Sequence, residues 1–308
     1  MSLPARERMT GIFGVLIAAL LWGSTGTAAT FAPDVSAVAI GAVAMGIGGL
    51  LQAAIAAKSI LEFSAQLAAQ GRLLLTGALA VAVYPLAFYA SMHLAGVTVG
   101  TVISIGSAPL LSALIEYRLE GQRLTRRWMS GATIGVIGML LLSVAQSGEH
   151  GATGDSKQVM WGVILGLLAG LTYALYSWAA RRLMQRQIPS RTAMGATFGL
   201  GGLLLMPVLA LTGGPLLASW NNAAVGAYMA LVPMFIGYLC YGYGLARVSA
   251  SMATTITLIE PVVAAILAVI IVGERLPPLG WLGITLVIAC LLVITLPVQY
   301  RYARARNA

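Results

Sequence analysis

Ten runs of about twenty predominantly apolar residues, separated by short charged connections, dominate this sequence and leave it few ways to fold. The runs lie at 10–31, 35–57, 73–93, 97–118, 128–147, 159–180, 192–212, 223–245, 249–273 and 278–298. Each is long enough to cross a hydrocarbon core about 30 Å thick as an α-helix. Backbone amides find no water there, so each run must close its own hydrogen bonds. Charge is correspondingly scarce. Asp, Glu, Lys and Arg make up 9% of the 308 residues, against about 25% in a typical soluble domain. The expected fold is an all-α integral membrane protein with ten transmembrane helices.

The net charge of +9 would suit nucleic acid if the basic residues clustered among aromatics on a polar face. They fall instead in the connections, where they read as topology signals. With the N-terminus in the cytoplasm, sixteen Lys and Arg lie inside, from Arg6, Arg8, Lys58 and Arg72 through Arg118–Arg127, Arg181–Arg191 and Arg247 to Arg301, Arg304 and Arg306. Only Lys157 and Arg275 lie outside. A miscount of one helix would destroy this positive-inside asymmetry. Both termini are therefore expected in the cytoplasm, and the partners are the lipid bilayer and a small molecule, not nucleic acid.

Arg6 and Arg8 before an apolar run ending near Thr27-Ala28-Ala29 have the outline of a secretory signal. The run is long enough to span and has a counterpart mid-chain, so it is read as a retained first helix. Trp128, Trp161, Trp220 and Trp281 fall at run ends, as headgroup-level anchors do, whereas Trp22 and Trp178 lie deeper. Residues 58–72 form a polar connection with room for a short interfacial helix, and 148–158 is the longest polar loop of the second half. Cys240 and Cys290 sit inside apolar runs without paired spacing and read as buried thiols. His93 and His150 are too scattered for a metal or catalytic set, so no metal, cofactor or enzymatic activity is expected.

The two halves resemble each other. Leu94-Ala95-Gly96-Val97-Thr98 recurs as Leu245-Ala246-Arg247-Val248-Ser249, and a proline follows in each next helix, Pro109 and Pro261. Gly121-Gln122-Arg123-Leu124 then matches Gly273-Glu274-Arg275-Leu276, and Gly131 matches Gly283, at a constant offset of 152 from Pro109 onward. Each half, 1–150 and 151–308, holds five helices. Five is odd, so the second copy enters from the opposite side. Two inverted repeats about a central cavity are the architecture of alternating access.

The prolines in helices 4 and 9, the Gly-[Gln/Glu]-Arg-Leu after each and the five-plus-five plan resemble the drug/metabolite transporter superfamily, in its ten-helix EamA-type branch. The resemblance covers nearly the whole chain. It implies a basket-like bundle with a central cavity that exports metabolites such as amino acids. Two departures make the halves chemically unequal. Gln122 stands where a glutamate is usual, and Ala108 precedes Pro109 where Glu260 precedes Pro261.

Glu260 is the candidate functional carboxylate, near the middle of run 249–273. A charge at that depth costs roughly 2.5–3.5 kcal/mol on insertion scales and normally faces a cavity or a partner. It can contact a substrate ammonium, carry a proton, or serve as a packing carboxylate bonded to Ser, Thr or Tyr. Trp22, Tyr84, Tyr89, Tyr173, Tyr176, Trp178, Tyr238 and Tyr241 are candidates for an aromatic lining. Tyr173/Tyr176 and Tyr238/Tyr241 each share a helix face at i,i+3 spacing, and buried hydroxyls need partners. Pro85, Pro109, Pro207, Pro233 and Pro261 fall within runs, and Pro85, Pro109, Pro233 and Pro261 are candidate hinges. Gly162-Gly166-Gly170 and Gly195-Gly199 have the small-xxx-small spacing of close helix pairs. Glu116 and Glu120, beside Arg118 and Arg123, are expected as interfacial ion pairs, and Glu274 with Arg275 likewise.

No Lys or Arg lies deep in a run, which disfavours phosphorylated cargo and suits neutral or zwitterionic metabolites. The expected function is export of small polar metabolites, amino acids first, across the cytoplasmic membrane, with protons as a candidate coupling ion. Efflux of lipophilic cations through the same carboxylate is the alternative, and a membrane-embedded enzyme or a channel is more distant. The topology is directly testable. In intact cells, Ala152→Cys should react with an impermeant thiol reagent added outside and Gln187→Cys should not; the reverse pattern overturns the assignment.

Overall fold

The computed structural model describes residues 5–146, 156–273 and 275–296. Among them, ten helices are long and apolar enough to cross a membrane. They are α1 Arg6–Ala29, α2 Ala37–Glu62, α3 Gly71–Ala95, α4 Val99–Glu120, α5 Arg126–Ala145, α6 Lys157–Gln185, α7 Ser190–Thr212, α8 Trp220–Leu245, α9 Ala250–Ile271 and α10 Pro278–Thr295. The described residues contain no strand. Several helices outlast their apolar runs, because a helix that leaves the bilayer keeps its backbone bonds in water. Thus 58–72 is almost wholly helical, divided between the end of α2, a short helix Ser64–Ala69 and the start of α3. The loop 148–158, His150, Glu274 and Arg301, Arg304 and Arg306 fall wholly or mostly outside the described residues.

Lipid tails are as apolar as leucine, so helix association rests on close van der Waals contact rather than on escape from water. Two pairs show this most clearly. In α2–α7, a Cβ on Gly49 would collide with the Phe198 carbonyl oxygen, and one on Gly202 would lie 2.6 Å from the Gly46 carbonyl oxygen. In α5–α10, Gly138 and Gly283 each approach the other's carbonyl, at 2.8 and 2.6 Å for the same hypothetical atom. The row Gly162, Gly166 and Gly170 faces α3 and α4 in the same manner, against Ala95, Ser91 and Ser104. Leucines such as Leu75, Leu79 and Leu203 are more than half exposed on the outer surface, where lipid solvates them.

Replacing helix n by helix n+5 maps the main contacts onto one another. α2–α7 and α5–α10 map onto themselves, α3–α6 onto α8–α1, α4–α6 onto α9–α1, and α3–α7 onto α8–α2. Helices α1, α3, α4, α6, α8 and α9 thereby share the interior, with the α2–α7 and α5–α10 pairs flanking it. The repeated Gly-x-Arg-Leu also finds its physical reason. Gly121 (φ 67°) ends α4 and Gly273 (φ 81°) ends α9, both in the left-handed conformation that glycine adopts without a Cβ penalty.

Trp161, Trp220 and Trp281 are exposed at helix ends, as anchors are. Trp128 is not an anchor of that kind: it is half-buried and its Nε1 donates to Thr255 Oγ1 at 3.2 Å. Both cysteines are free; Cys290 is buried, but Cys240 is only half-buried. The α2–α7 seam predicts a stability difference. Gly49→Ala should lower the stability of the purified protein by about 1–3 kcal/mol, as overpacking does. Gly26→Ala, which would add a methyl where nothing lies within 4 Å, should leave the thermal midpoint unchanged.

Candidate substrate site

The interior is organised around α8 and α9, which do not stay regular. Pro261 has no N–H to give to the Thr257 carbonyl, its partner in an α-helix. The Glu260 N–H bonds Thr257 O instead, and Thr257–Ile259 tightens into a 3₁₀ turn. In α8, Ala230–Ile236 is π-helical around Pro233. Trp22 Nε1 on α1 donates to the Pro233 carbonyl at 2.9 Å, tying α1 to that irregular segment. Of the expected hinges, only Pro233 and Pro261 interrupt their helices. α3 runs through Pro85, α4 through Pro109 and α7 through Pro207 as continuous α-helix.

Around these two irregular segments the aromatics assemble. Trp22 stacks at an angle on Tyr238 and Tyr241, with centroids 4.7 and 5.1 Å apart. Tyr84 meets Tyr173 and Tyr176 at 5.6 and 5.8 Å. Phe198 of α7 lies 4.3 Å from Tyr238. Every hydroxyl in the innermost group has a partner, as burial demands. Tyr176 and Tyr238 bond each other at 2.9 Å, Tyr241 bonds Ser177 at 2.8 Å, and Tyr173 bonds Thr257 at 2.8 Å. Trp22, Tyr173, Tyr176, Tyr238 and Tyr241 are buried, while Tyr84, Phe88 and Tyr89 keep part of their surface. Tyr89 fills the space beside Gly41 of α2.

Glu260 stands at this cluster. Its side chain is half-buried, and among the described residues its carboxylate has no hydrogen-bond or ion-pair partner. The hydroxyls of Tyr84, Tyr89, Tyr173 and Tyr238 lie within its electrostatic reach. Its backbone carbonyl is close to Gly23 of α1, which has no room for a side chain there.

The other carboxylates required correction. Glu116 forms no ion pair with Arg118 or Arg123. It is 1% exposed, and its two oxygens accept from the backbone N–H groups of Ala250 (2.7 Å) and Ser251 (3.3 Å) at the start of α9. Those N–H groups have no partner within the helix, and the helix dipole favours an anion there. From α6, Arg181 donates to the carbonyls of Leu245 and Val248 at the end of α8. The α8–α9 turn is thus clasped from both sides by side chains of the first three-fifths of the chain. Glu120 meets neither expected arginine but accepts from Trp178 Nε1 at 2.8 Å and lies 4.0 Å from Arg182. Trp178 therefore directs its polar edge away from the Tyr cluster, although its ring packs against the same core.

A sequence model of the EamA-like transporter family matches residues 9–144 and again 160–296. The chain belongs to the EamA-like transporter family. Similar relatives include the uncharacterized transporter YwfM of Bacillus subtilis (strain 168), 32% identical over 292 residues that cover 91% of this chain and 92% of that protein. The probable terminal-alkyne amino-acid exporter of Streptantibioticus cattleyicolor is 27% identical over 285 residues, 89% of this chain and 92% of its own. The threonine/homoserine exporter RhtA of Escherichia coli (strain K12) is 26% identical over 212 residues, 69% and 67%. A solved crystal structure shares the fold with a TM-score of 0.74 at 18% identity, over 92% of this chain and 96% of that one.

This EamA-like protein is therefore a multi-pass membrane transporter. Sequence reasoning missed Ser177, Thr257 and Phe198 as members of the cluster, and Glu116 and Arg181 as the clasp. A polar run inside an apolar span, Thr254-Thr255-Ile256-Thr257, was the available signal for the first kind. Glu116 lies one helical turn, about 6 Å, deeper than Glu120, which was the signal for the second. Removing a charged partner from buried N–H groups costs about 1–3 kcal/mol. Glu116→Ala should therefore lower the stability of the purified transporter by that amount, measured by thermal unfolding, whereas Arg118→Ala should change it little.

Proposed function

We propose that this EamA-like transporter exports small polar metabolites, amino acids first among them, across the cytoplasmic membrane by alternating access. In this reading the halves 1–150 and 151–308 are inverted repeats, both termini are cytoplasmic, and α1, α3, α4, α6, α8 and α9 surround the path. The observation that carries it is the carboxylate of Glu260, half-buried and unbonded at mid-span, three residues from Thr257, which bonds the Tyr173 hydroxyl. An ammonium group fits such a site twice over, through the carboxylate and through the electron-rich ring faces. The described residues contain no Lys or Arg near Glu260 to take the place of that ammonium. Two relatives carry names of amino-acid exporters, which supports amino-acid cargo, and others carry the name of an inner-membrane transporter.

The burial pattern supports a state closed toward the arginine-rich end. Tyr176, Tyr238 and Tyr241 lie nearer that end of their helices than Glu260 does, and they are buried. The clasped α8–α9 turn lies beyond them. Opening toward the cytoplasm requires this layer to part, with the Pro233 and Pro261 segments as the places where the backbone is already irregular. Proton release from Glu260 in one state and cargo binding in the other would couple the two movements.

Glu260→Gln keeps the volume of the side chain and removes its titration. In proteoliposomes loaded with labelled threonine or homoserine, the variant should export at least roughly tenfold more slowly, the loss of an interaction of about 1.4 kcal/mol, and should lose the pH dependence of wild type. Wild-type rates with the wild-type pH profile would make Glu260 a packing residue. Export of a quaternary ammonium dye in preference to both amino acids would favour lipophilic cations as the cargo. Protein recovered per vesicle is measured alongside, so that failed insertion is separated from failed transport.

A further inference from the structure

At the arginine-rich end, away from Glu260, a recess of about 730 Å³ opens between the Ser64–Ala69 helix, the start of α3 and the ends of α4 and α6. Arg72, Arg182 and Arg186 line it, together with the ring of Trp178 and the apolar side chains of Leu73 and Leu119. Arg182 has Glu120 at 4.0 Å as a partial counter-charge. Among the described residues, Arg72 and Arg186 have no ion-pair partner. Three arginines lining one recess, one of them bonded to Gln185 and near a single carboxylate, make an anion-seeking site.

The walls tell which anion. Leu119 is 58% exposed, and below the mouth Leu75 and Leu79 are 58% and 55% exposed one and two turns along α3. A free anion in water gains nothing from such a flank. A lipid gains from it along its acyl chains, while arginine meets phosphate oxygens in paired hydrogen bonds and tryptophan is favoured at headgroup depth. We propose that this recess is a binding site for the phosphate of an anionic phospholipid headgroup. Basic pockets between transmembrane helices bind lipid phosphates by this chemistry. Occupancy would tie the α2–α3 connection to the end of α6, the helix that also supplies Arg181 to the α8–α9 turn.

The test uses the purified, delipidated full-length protein in neutral detergent. Its thermal midpoint is followed against added phosphatidylglycerol, phosphatidylcholine or inorganic phosphate. Phosphatidylglycerol should raise the midpoint with saturation, and phosphatidylcholine should not. The R72Q/R186Q variant should bind phosphatidylglycerol roughly 30-fold more weakly, from about 1 kcal/mol for each arginine. R72K/R186K, which keeps the charges, should retain most of the affinity. R118Q/R126Q removes the same charge from the same end at residues that do not line the recess, and should change the affinity less than about threefold. The midpoint of each variant without lipid reports folding. A saturable rise with inorganic phosphate, lost in R72Q/R186Q, would keep the site and name the free anion as its ligand. Equal shifts from both lipids, wild-type affinity in R72Q/R186Q, or an equal loss in R118Q/R126Q would each overturn the proposal.

Discussion

Within hydrocarbon, each backbone N–H and C=O must find a partner inside the protein, and the interior of this bundle depends on how that demand is met where helices stop being regular. α8 and α9 each contain a proline at a change of helix type, and they meet in a tight turn. The Pro233 segment and both sides of the turn are met by side chains from elsewhere, whereas at Pro261 the Glu260 N–H takes the Thr257 carbonyl. Trp22 reaches the Pro233 carbonyl, Arg181 the carbonyls that end α8, and Glu116 the N–H groups that begin α9. The threonines of α9 complete the pattern by returning hydroxyl bonds to carbonyls one turn back, Thr254 to Ala250, Thr255 to Ser251 and Thr257 to Thr254. Irregular backbone is therefore bonded by groups of the protein itself, and the aromatic cluster forms around it.

The halves meet this demand differently, and the difference gives the site its polarity. Helix α4 passes through Pro109 as one continuous helix, with Ala108 before it. Helix α9 tightens into a 3₁₀ turn before Pro261, with Glu260 at the joint. One half supplies a regular wall and, through Trp22 and Glu116, two of the three side chains that hold the irregular part of the other half. The other supplies the irregular segment and the charge. Of the two matching prolines, only Pro261 follows a carboxylate.

How much of this was legible in the sequence depended on whether a feature is local. The ten helices were legible because span length is fixed by the bilayer and every run satisfies its own backbone. The Gly-x-Arg-Leu repeat was legible as a motif, and its glycine has a local cause, the left-handed end of α4 and of α9. The membership of Tyr173, Tyr176, Tyr238 and Tyr241 in one cluster followed from i,i+3 spacing on helices that prove to be neighbours. Features decided by a distant partner were not legible. Glu116 reads as an interfacial carboxylate until α9 is seen to begin against it, and Trp128 reads as an anchor until Thr255 is placed opposite. Pro85 and Pro109 show the converse. Proline removes one donor wherever it occurs, yet α3 and α4 run through theirs as continuous helix.

The central claim is that the surroundings of Glu260 form part of a path closed at the arginine-rich end by the clasped α8–α9 turn. Accessibility at Tyr89 tests it most directly. In a background with Cys240 and Cys290 replaced by serine, Tyr89→Cys is placed in oriented vesicles, and an impermeant thiol reagent is added to either face. The account predicts labelling from the face opposite the arginine-rich end. It predicts new labelling from the arginine-rich face once Glu116 and Arg181 are both replaced by alanine. Absence of labelling from either face in both backgrounds would contradict it, because Glu260 and Tyr89 would then border packed side chains and lipid rather than a path.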